Sequence, residues 1–378
     1  MTYQLVCCGN PNDISTWSNI PYYILHAASK KGSLVAGPSL DPSRLLFRRL
    51  LWNLSRLIMT GKPGGFQYSK SSVNSLWSQA TSQGFSSSQN LQFLSHFPLL
   101  PPYPYPENWK VSFYIDATNK QLFENYQTGH RLSRLLKKDV FARERNAYMS
   151  AAAVITMSKW AAQSVINDYQ IPSDRVHIVP AGANFNCSVL NPSDINLTLP
   201  APTHALPLKL GFLGKDWQRK GGPFVVQLAS YLNSIGIPAI VRVVGPSLSD
   251  LPISPLIQYV GFIDKHTEHS KFIREISSWH FGTLFSLFEA YGISNVECFR
   301  LAVPVLTHDV GGISSTFTGD ECGKLFSAHP SVETVCNYIS YLMSDYESYL
   351  LMRERLALNS LNFEWQKSVA RICDILYS

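Results

Sequence analysis

The sequence predicts two Rossmann-like, doubly wound α/β domains, each a mainly parallel sheet with helices on both faces, meeting at a cleft. Three observations predict it. The 378-residue length suits two domains at about 100–200 residues apiece. Short runs rich in Val, Ile and Leu, the pattern of strands buried on both faces, alternate with helical stretches. That alternation occurs twice, once in each half of the chain.

In the first half the strand-like runs are Tyr3–Cys8, Val111–Ile115, Val154–Thr156 and Val176–Val179. In the second they are Leu208–Leu213, Ala239–Val244, Gly282–Leu287 and Val303–Thr307. Helical patterns cover Lys159–Tyr169, Gly222–Gly236, His269–Ser278 and the final stretch Ser344–Ser378. Between the halves, Cys187–Pro207 holds four prolines, little periodicity and many small polar residues, the composition of an extended linker. The expected division is residues 1–190 for the first domain and 207–361 for the second. Lys62–Pro106, rich in Ser and Gln and ending in a proline-rich run, is expected to be a partly ordered insertion.

Composition excludes several classes. With 45% hydrophobic and 15% charged residues the chain reads as an ordinary globular protein. A net charge of +6 is mild for a nucleic-acid binder, so no nucleic-acid partner is expected. The seven cysteines are irregularly spaced with no Cys-x-x-Cys pair, which argues against a disulfide framework or a zinc site. The N-terminal apolar run is too short for a signal peptide and no run reaches the ~18 residues of a bilayer span. A cytoplasmic location is expected.

The sharpest chemical signal is Phe285–Arg300. A strand ends near Leu287, a loop carries Glu289, and a helix starts near Gly292–Ser294 with Glu297 one turn inside it. Helix N-termini offer free N–H groups and a positive dipole end, which suit a diphosphate. The loop carboxylate can reach sugar hydroxyls, and the helix carboxylate can accept both hydrogen bonds of a ribose diol. Two surface acids on an amphipathic helix would give the same spacing. The Gly-flanked cluster Gly211–Gly222 offers Lys215, Arg219 and Lys220 at a strand-to-helix turn, a pyrophosphate cradle or a solvated basic loop. Thr307–Ser315 contains Gly311 and Gly312, which permit close ligand approach or simply a turn.

Together these segments resemble the retaining family-4 glycosyltransferases with the GT-B fold, in their bacterial form. Glu289 and Glu297 match that family's Glu-x7-Glu motif, Arg219–Gly221 its phosphate loop, and Asp309–Gly312 and Phe363–Trp365 further motifs. Tyr114–Thr118, Ser158–Ala162 and Val179–Asn184 are similar to first-domain counterparts. The resemblance implies a hexosyltransferase that moves a sugar from a nucleoside-diphosphate donor to a hydroxyl acceptor, with no cofactor. Lys215, Arg219 and Lys220 would hold the diphosphate, Glu289 the sugar and Glu297 the ribose. Tyr291, Gly292 and Ile293 would line that site, with Gly245 and the loop Gly261–Asp264, including Phe262 and Ile263, near the base. The family also sends its last helix, here about residues 362–378, back to the first domain. Where many members carry a histidine facing the reacting sugar, this chain has Asp116, and the usual Gly-rich loop after the first strand is replaced by Gly9–Tyr22.

No Asp-x-Asp pair occurs, so lysine, arginine and a helix dipole, rather than a metal, are expected to stabilise the leaving diphosphate. Glu289, Lys220 and Asp116 are the expected catalytic residues. Asp116 serves as a hydrogen-bond acceptor for the incoming hydroxyl or as a strand-end turn residue. Acceptor contacts are expected at Trp17, Ser18, Tyr22, Asp116 and Thr118, although single aromatics such as Trp17 and Tyr22 also fill cores. Another GT-B enzyme, an epimerase or phosphorylase, and a catalytically silent sugar-nucleotide binder fit the same motifs. Finally, Arg44–Met59 spaces arginines at helical period among bulky apolar residues. It reads either as a surface helix packed on a core or as one lying peripherally in an anionic membrane face.

Overall fold

A computed structural model describes residues 2–29, 32–187, 190, 195, 197–327 and 330–378. Residues 188–189, 191–194 and 196 of the expected linker lie outside the described residues. The chain divides into two compact units, Met1–Pro180 with Ser368–Ser378, and Ala181–Lys367. The described part of the expected linker is therefore counted with the second unit.

The first unit contains, in chain order, β1 (Tyr3–Val6), α1 (Ile20–Ala28), β2 (Leu34–Ala36), α2 (Leu46–Thr60), α3 (Lys70–Ser82) and β3 (Leu91–Ser95). There follow β4 (Trp109–Ile115), α4 (Asn119–Asn125), α5 (Arg134–Ser150), β5 (Val154–Thr156), α6 (Lys159–Asn167) and β6 (Val176–Ile178). Its six strands are all parallel, in the order β2-β1-β3-β4-β5-β6. Ser69, Thr118, Ser133 and Ser158 start α3, α4, α5 and α6 by accepting backbone N–H groups with their side chains.

The expected insertion at Lys62–Pro106 is corrected here. It supplies α3 and the central strand β3, which pairs with both β1 and β4. Phe93 and Leu94 of β3 are fully buried, and Phe93 packs between Trp77 and Trp109 at 5.5 and 5.1 Å. A five-residue strand that includes a Gln and a Ser lacks the Val/Ile run by which buried strands are read. The Ser-rich α3 hides its apolar stripe, Val73, Leu76, Trp77 and Ala80, among polar neighbours.

The second unit contains β7 (Leu208–Leu213), α7 (Gly222–Ser234), β8 (Ala239–Val244), β9 (Ile257–Gly261), α8 (His269–Ser277) and β10 (Phe281–Leu284). It continues with α9 (Ile293–Arg300), β11 (Val305–His308), β12 (Gly323–Phe326), α10 (Val332–Ser344) and α11 (Tyr346–Asn359). These strands are also all parallel, in the order β12-β11-β10-β7-β8-β9. Leu210, Phe212, Val241, Val243 and Phe281 lie in its core.

The last helix, α12 (Trp365–Tyr377), runs to the end of the chain. From Ser368 onward its residues count with the first unit. There Ser368 donates to the Pro180 carbonyl at 2.6 Å, and the Leu376 carbonyl accepts from Tyr3 and Lys110 at 3.0 and 3.1 Å. No helix among the described residues is long and apolar enough to cross a membrane.

Candidate active site

In an open parallel sheet the loops leaving the carboxyl ends of the strands converge, and ligands bind there. The second unit places several charged and glycine-bearing loops at that edge. After β7 comes Gly214–Gly221, after β8 Gly245, after β9 Phe262 and Ile263, after β10 Phe285–Gly292, and after β11 Asp309–Gly312. The residues expected to bind a donor thus follow four adjacent strands, β10, β7, β8 and β9, with the Asp309–Gly312 motif after the neighbouring β11.

Three of these loops are tied together through backbone. The Leu287 N–H donates to the Arg219 carbonyl at 2.8 Å, and the Gly312 N–H donates to the Glu289 carbonyl at 3.1 Å. Two glycines make this approach feasible. Gly221 has φ +80°, and a Cβ there would lie 2.1 Å from the Phe285 carbonyl oxygen; Gly311 has φ +59°, and a Cβ would lie 1.9 Å from the Glu289 carbonyl oxygen.

Glu289 is the hub. Its carboxylate accepts from Lys220 Nζ at 3.2 Å, from Arg219 Nη1 at 3.3 Å and from Ser286 Oγ at 3.3 Å. Arg219 Nη1 also donates to the Phe288 carbonyl at 2.9 Å, and its backbone N–H and side chain engage Asp216. Burial pushes the Glu289 carboxyl up, but Lys220 and then Arg219 outweigh it and hold the group below the usual carboxylate range. Behind it, His308 Nε2–H donates to the Ser286 carbonyl at 2.8 Å. The acid is therefore kept ionised and fixed in place.

Glu297 lies one turn inside α9 with its side chain 1% exposed, paired with Lys265. Burial raises its pKa, opposed by Lys265, Lys220 and the Asn184 N–H. Sequence reading stopped the neighbouring loop at Asp264 and missed Lys265. A basic residue one position past the expected base-binding loop was the available signal.

Helices α7 and α9 start at glycines, Gly221 and Gly292, with no side-chain cap. One residue inside α9, Ser294 Oγ is buried with no hydrogen-bond partner among the described residues. Uncapped N–H groups, a positive helix end and an orphan hydroxyl form a set of donors for an anion. Lys215 Nζ lies 5.7 Å from the centre of the Phe262 ring, which is 61% exposed, while Ile263 is buried. Tyr291 is buried and donates to the Ala181 carbonyl at 3.2 Å, so its hydroxyl is occupied within the protein.

Two motif segments from distant parts of the sequence also meet. Trp365 Nε1 donates to Asn184 Oδ1 at 2.8 Å, the Ala183 N–H donates to the Phe363 carbonyl at 2.8 Å, and Arg300 pairs with Glu364. Since the Asn184 N–H favours the charged form of Glu297, this junction supports the α9 carboxylate from behind.

In the first unit, the residues expected at an acceptor again follow strand ends. Trp17 and Ser18, exposed, and the half-buried Tyr22 lie between β1 and the middle of α1, while the half-buried Asp116 follows β4. Trp17, Ser18 and Asn19 all have positive φ, of 40°, 56° and 69°, an uncommon run for residues with side chains. Thr118 is corrected to a structural role. It is fully buried, caps α4 in a reciprocal pair with Gln121, and shares a hydrogen bond with Ser164 at 2.8 Å.

Sequence reading also missed His96, which follows β3 in the segment read as an insertion. It is buried, its Nδ1–H donates to the Tyr114 carbonyl, its Nε2 has no hydrogen-bond partner among the described residues, and the Trp17 ring meets it edge-on. Burial draws its pKa down to about 3.

Residues 247–359 match the family model of the glycosyl transferases group 1. An alpha-D-kanosaminyltransferase of Streptomyces kanamyceticus is 25% identical over 224 residues, covering 57% of this chain and 56% of that protein. The chain thus matches little more than half the length of this curated relative. Sucrose-phosphate synthase of Thermosynechococcus elongatus superposes with a TM-score of 0.69 at 14% identity, covering 98% of this chain and 96% of the other. HepE of Anabaena, in complex with UDP-glucose, superposes with a TM-score of 0.62 at 14% identity, covering 94% of each chain. The fold is that of the GT-B glycosyltransferases, two Rossmann-like units built on parallel sheets.

Proposed function

We propose that this chain is a retaining hexosyltransferase that moves a sugar from a nucleoside diphosphate to a hydroxyl acceptor in glycan, glycolipid or glycoside synthesis. The observation that carries the reading is the Glu289 hub, an ionised carboxylate held by Lys220 and Arg219 beside the uncapped start of α9. The group 1 family match over residues 247–359 and the kanosaminyltransferase relative support it.

In this reading Lys215, Arg219 and Lys220, with the N–H groups of Gly292 and Ile293, neutralise the donor diphosphate without a metal. Glu289 accepts from the sugar hydroxyls and Glu297 from the ribose diol. Gly245, Phe262 and Ile263 border the base, and Tyr291 supports the loop. The acceptor oxygen forms its bond to the anomeric carbon on the face from which the diphosphate leaves. The departing phosphate oxygen takes the acceptor proton, so configuration is retained. Fixed cations at the developing negative charge supply the main stabilisation. Trp17, Ser18, Tyr22 and Asp116 are proposed for the acceptor, Asp116 as the hydrogen-bond acceptor for its hydroxyl.

Calorimetric titration with UDP, GDP and ADP tests the donor half. One nucleotide is expected to bind, and Glu297→Ala to weaken it at least about tenfold, the equivalent of ~1.4 kcal/mol. Absence of binding by all three would remove the basis of the reading.

A further inference from the structure

Helix α2 is amphipathic, yet it packs on the protein with its polar edge. Leu46, Phe47, Leu50, Leu51, Leu54, Leu57 and Ile58 fall on one arc of the helix, and every one of them is at least half exposed, Ile58 to 78%. No residue of the helix is fully buried. The opposite side holds it down. Trp52 packs on Phe66 at 6.2 Å and donates through Nε1 to the Gly64 carbonyl at 3.0 Å. Arg56 lies 5.6 Å over the Trp52 ring and donates to Ser133, and Arg48 donates to Ser75. An ordinary surface helix does the reverse. A contiguous exposed apolar face of this kind marks an interaction surface.

Charge identifies the occupant. Arg44, Arg48, Arg49, Arg56 and Lys62 lie on or beside the helix, and no acidic residue occurs between Asp41 and Glu107. Asp41 itself pairs with Arg44. Arg56 bonds to Ser133 at the start of α5, where Arg131, Arg134 and Lys138 are exposed. Asp139, the acid nearest in sequence, pairs with Arg143 and Lys70. Two copies docked through this face would bring their arginines together. An anionic lipid surface satisfies both features, taking the leucines and Phe47 at the acyl boundary and the flanking Arg44, Arg49 and Lys62 at the phosphates, while Arg48 and Arg56 anchor the helix to the protein.

We infer that α2 is a membrane-docking helix by which the first unit lies on an anionic bilayer surface, independently of the reaction the second unit supports.

The test is co-sedimentation of the full chain with phosphatidylcholine vesicles, with and without phosphatidylglycerol, at low and high salt. The protein is expected to sediment with the anionic vesicles at low salt and to be released by high salt. Leu50→Glu/Leu54→Glu changes only exposed positions and should lower partitioning at least about tenfold with circular dichroism unchanged; Arg44→Gln/Arg49→Gln should reduce the preference for anionic vesicles. An environment-sensitive dye on Ile58→Cys provides a second readout, with a blue shift expected on anionic vesicles alone. No sedimentation at low salt, equal binding by the Leu50→Glu/Leu54→Glu variant, or no dye shift would overturn the inference. So would a concentration-dependent dimer, abolished by the same two substitutions, in protein that binds no vesicles.

Discussion

Lys265 donates to Glu297, a carboxylate all but sealed from solvent on the first turns of α9. Lys265 is the main group neutralising Glu297, and in the proposed reading the donor ribose brings its diol to the same carboxylate.

Lys265→Ala is therefore expected to destabilise the second unit by about 3–5 kcal/mol at neutral pH, the range for breaking a buried pair by removing one partner. The native Glu297 pKa is already raised by burial, and losing Lys265 raises it further. An acid with a raised native pKa favours the fold at low pH and costs stability as pH rises through that value. The deficit should accordingly shrink as the pH falls into the ordinary carboxylate range. Denaturant unfolding at neutral and mildly acidic pH measures it; a deficit that does not change with pH would contradict the burial of Glu297.

Glu289 should show the opposite dependence. Its native pKa is lowered by Lys220 and Arg219, so it contributes stability above the carboxylate range and loses it as pH falls through its native value. Comparison of Tm against pH for wild type and Glu289→Gln should show an advantage for wild type at neutral pH that disappears in acid. In turnover assays the same substitution is expected to lower kcat by about 10²-fold or more while nucleotide affinity is maintained, since it frees two cations for the diphosphate.

His96, drawn to about 3 by burial, should remain neutral throughout the physiological range. Its imidazole resonances are expected not to shift between pH 8 and 5. Because its native pKa lies below the unfolded value of about 6.5, it contributes stability above that pH and loses it as pH falls toward 3. His96→Gln should flatten that part of the acid-unfolding curve. His280, drawn to about 4, adds to the same slope and provides an internal control.

Gly311→Ala would place a methyl group 1.9 Å from the Glu289 carbonyl oxygen at a positive φ. The expected cost is at least about 1–3 kcal/mol, with reduced nucleotide binding because the loop carrying Glu289 shifts. Gly84→Ala, also at positive φ but with open space around it, should cost about 1 kcal/mol and leave binding unaltered. Equal effects of the two substitutions on binding would refute the tie between the loops.

The sequence made the second unit more legible than the first. In each unit four of the six strands fall in apolar runs, while β2, β3, β9 and β12 do not, but the second unit's charged residues follow strand ends at short, recognisable spacings. What it hid were pairings across long separations. Lys265 meets Glu297 only because β9 and β10 end at the same edge of the sheet, and Asn184 meets Trp365 across 181 residues. In the first unit, β3 and His96 were obscured by a Ser- and Gln-rich composition that reads as irregular chain. Thr118 looked like a ligand contact because its capping role depends on Gln121, a local partner that the motif did not include.

The Lys215–Phe262 pair differs from the rest of the donor edge. Backbone contacts and glycines without space for a methyl lock the Glu289 loops, whereas Phe262 is mostly exposed and Lys215 rests over its ring. Substitutions at these two positions need not disturb the sheet or the carboxylate hub. If this pair borders the donor base as proposed, nucleotide preference can drift there during divergence, and a mutagenesis library aimed at a new donor base would best begin with it.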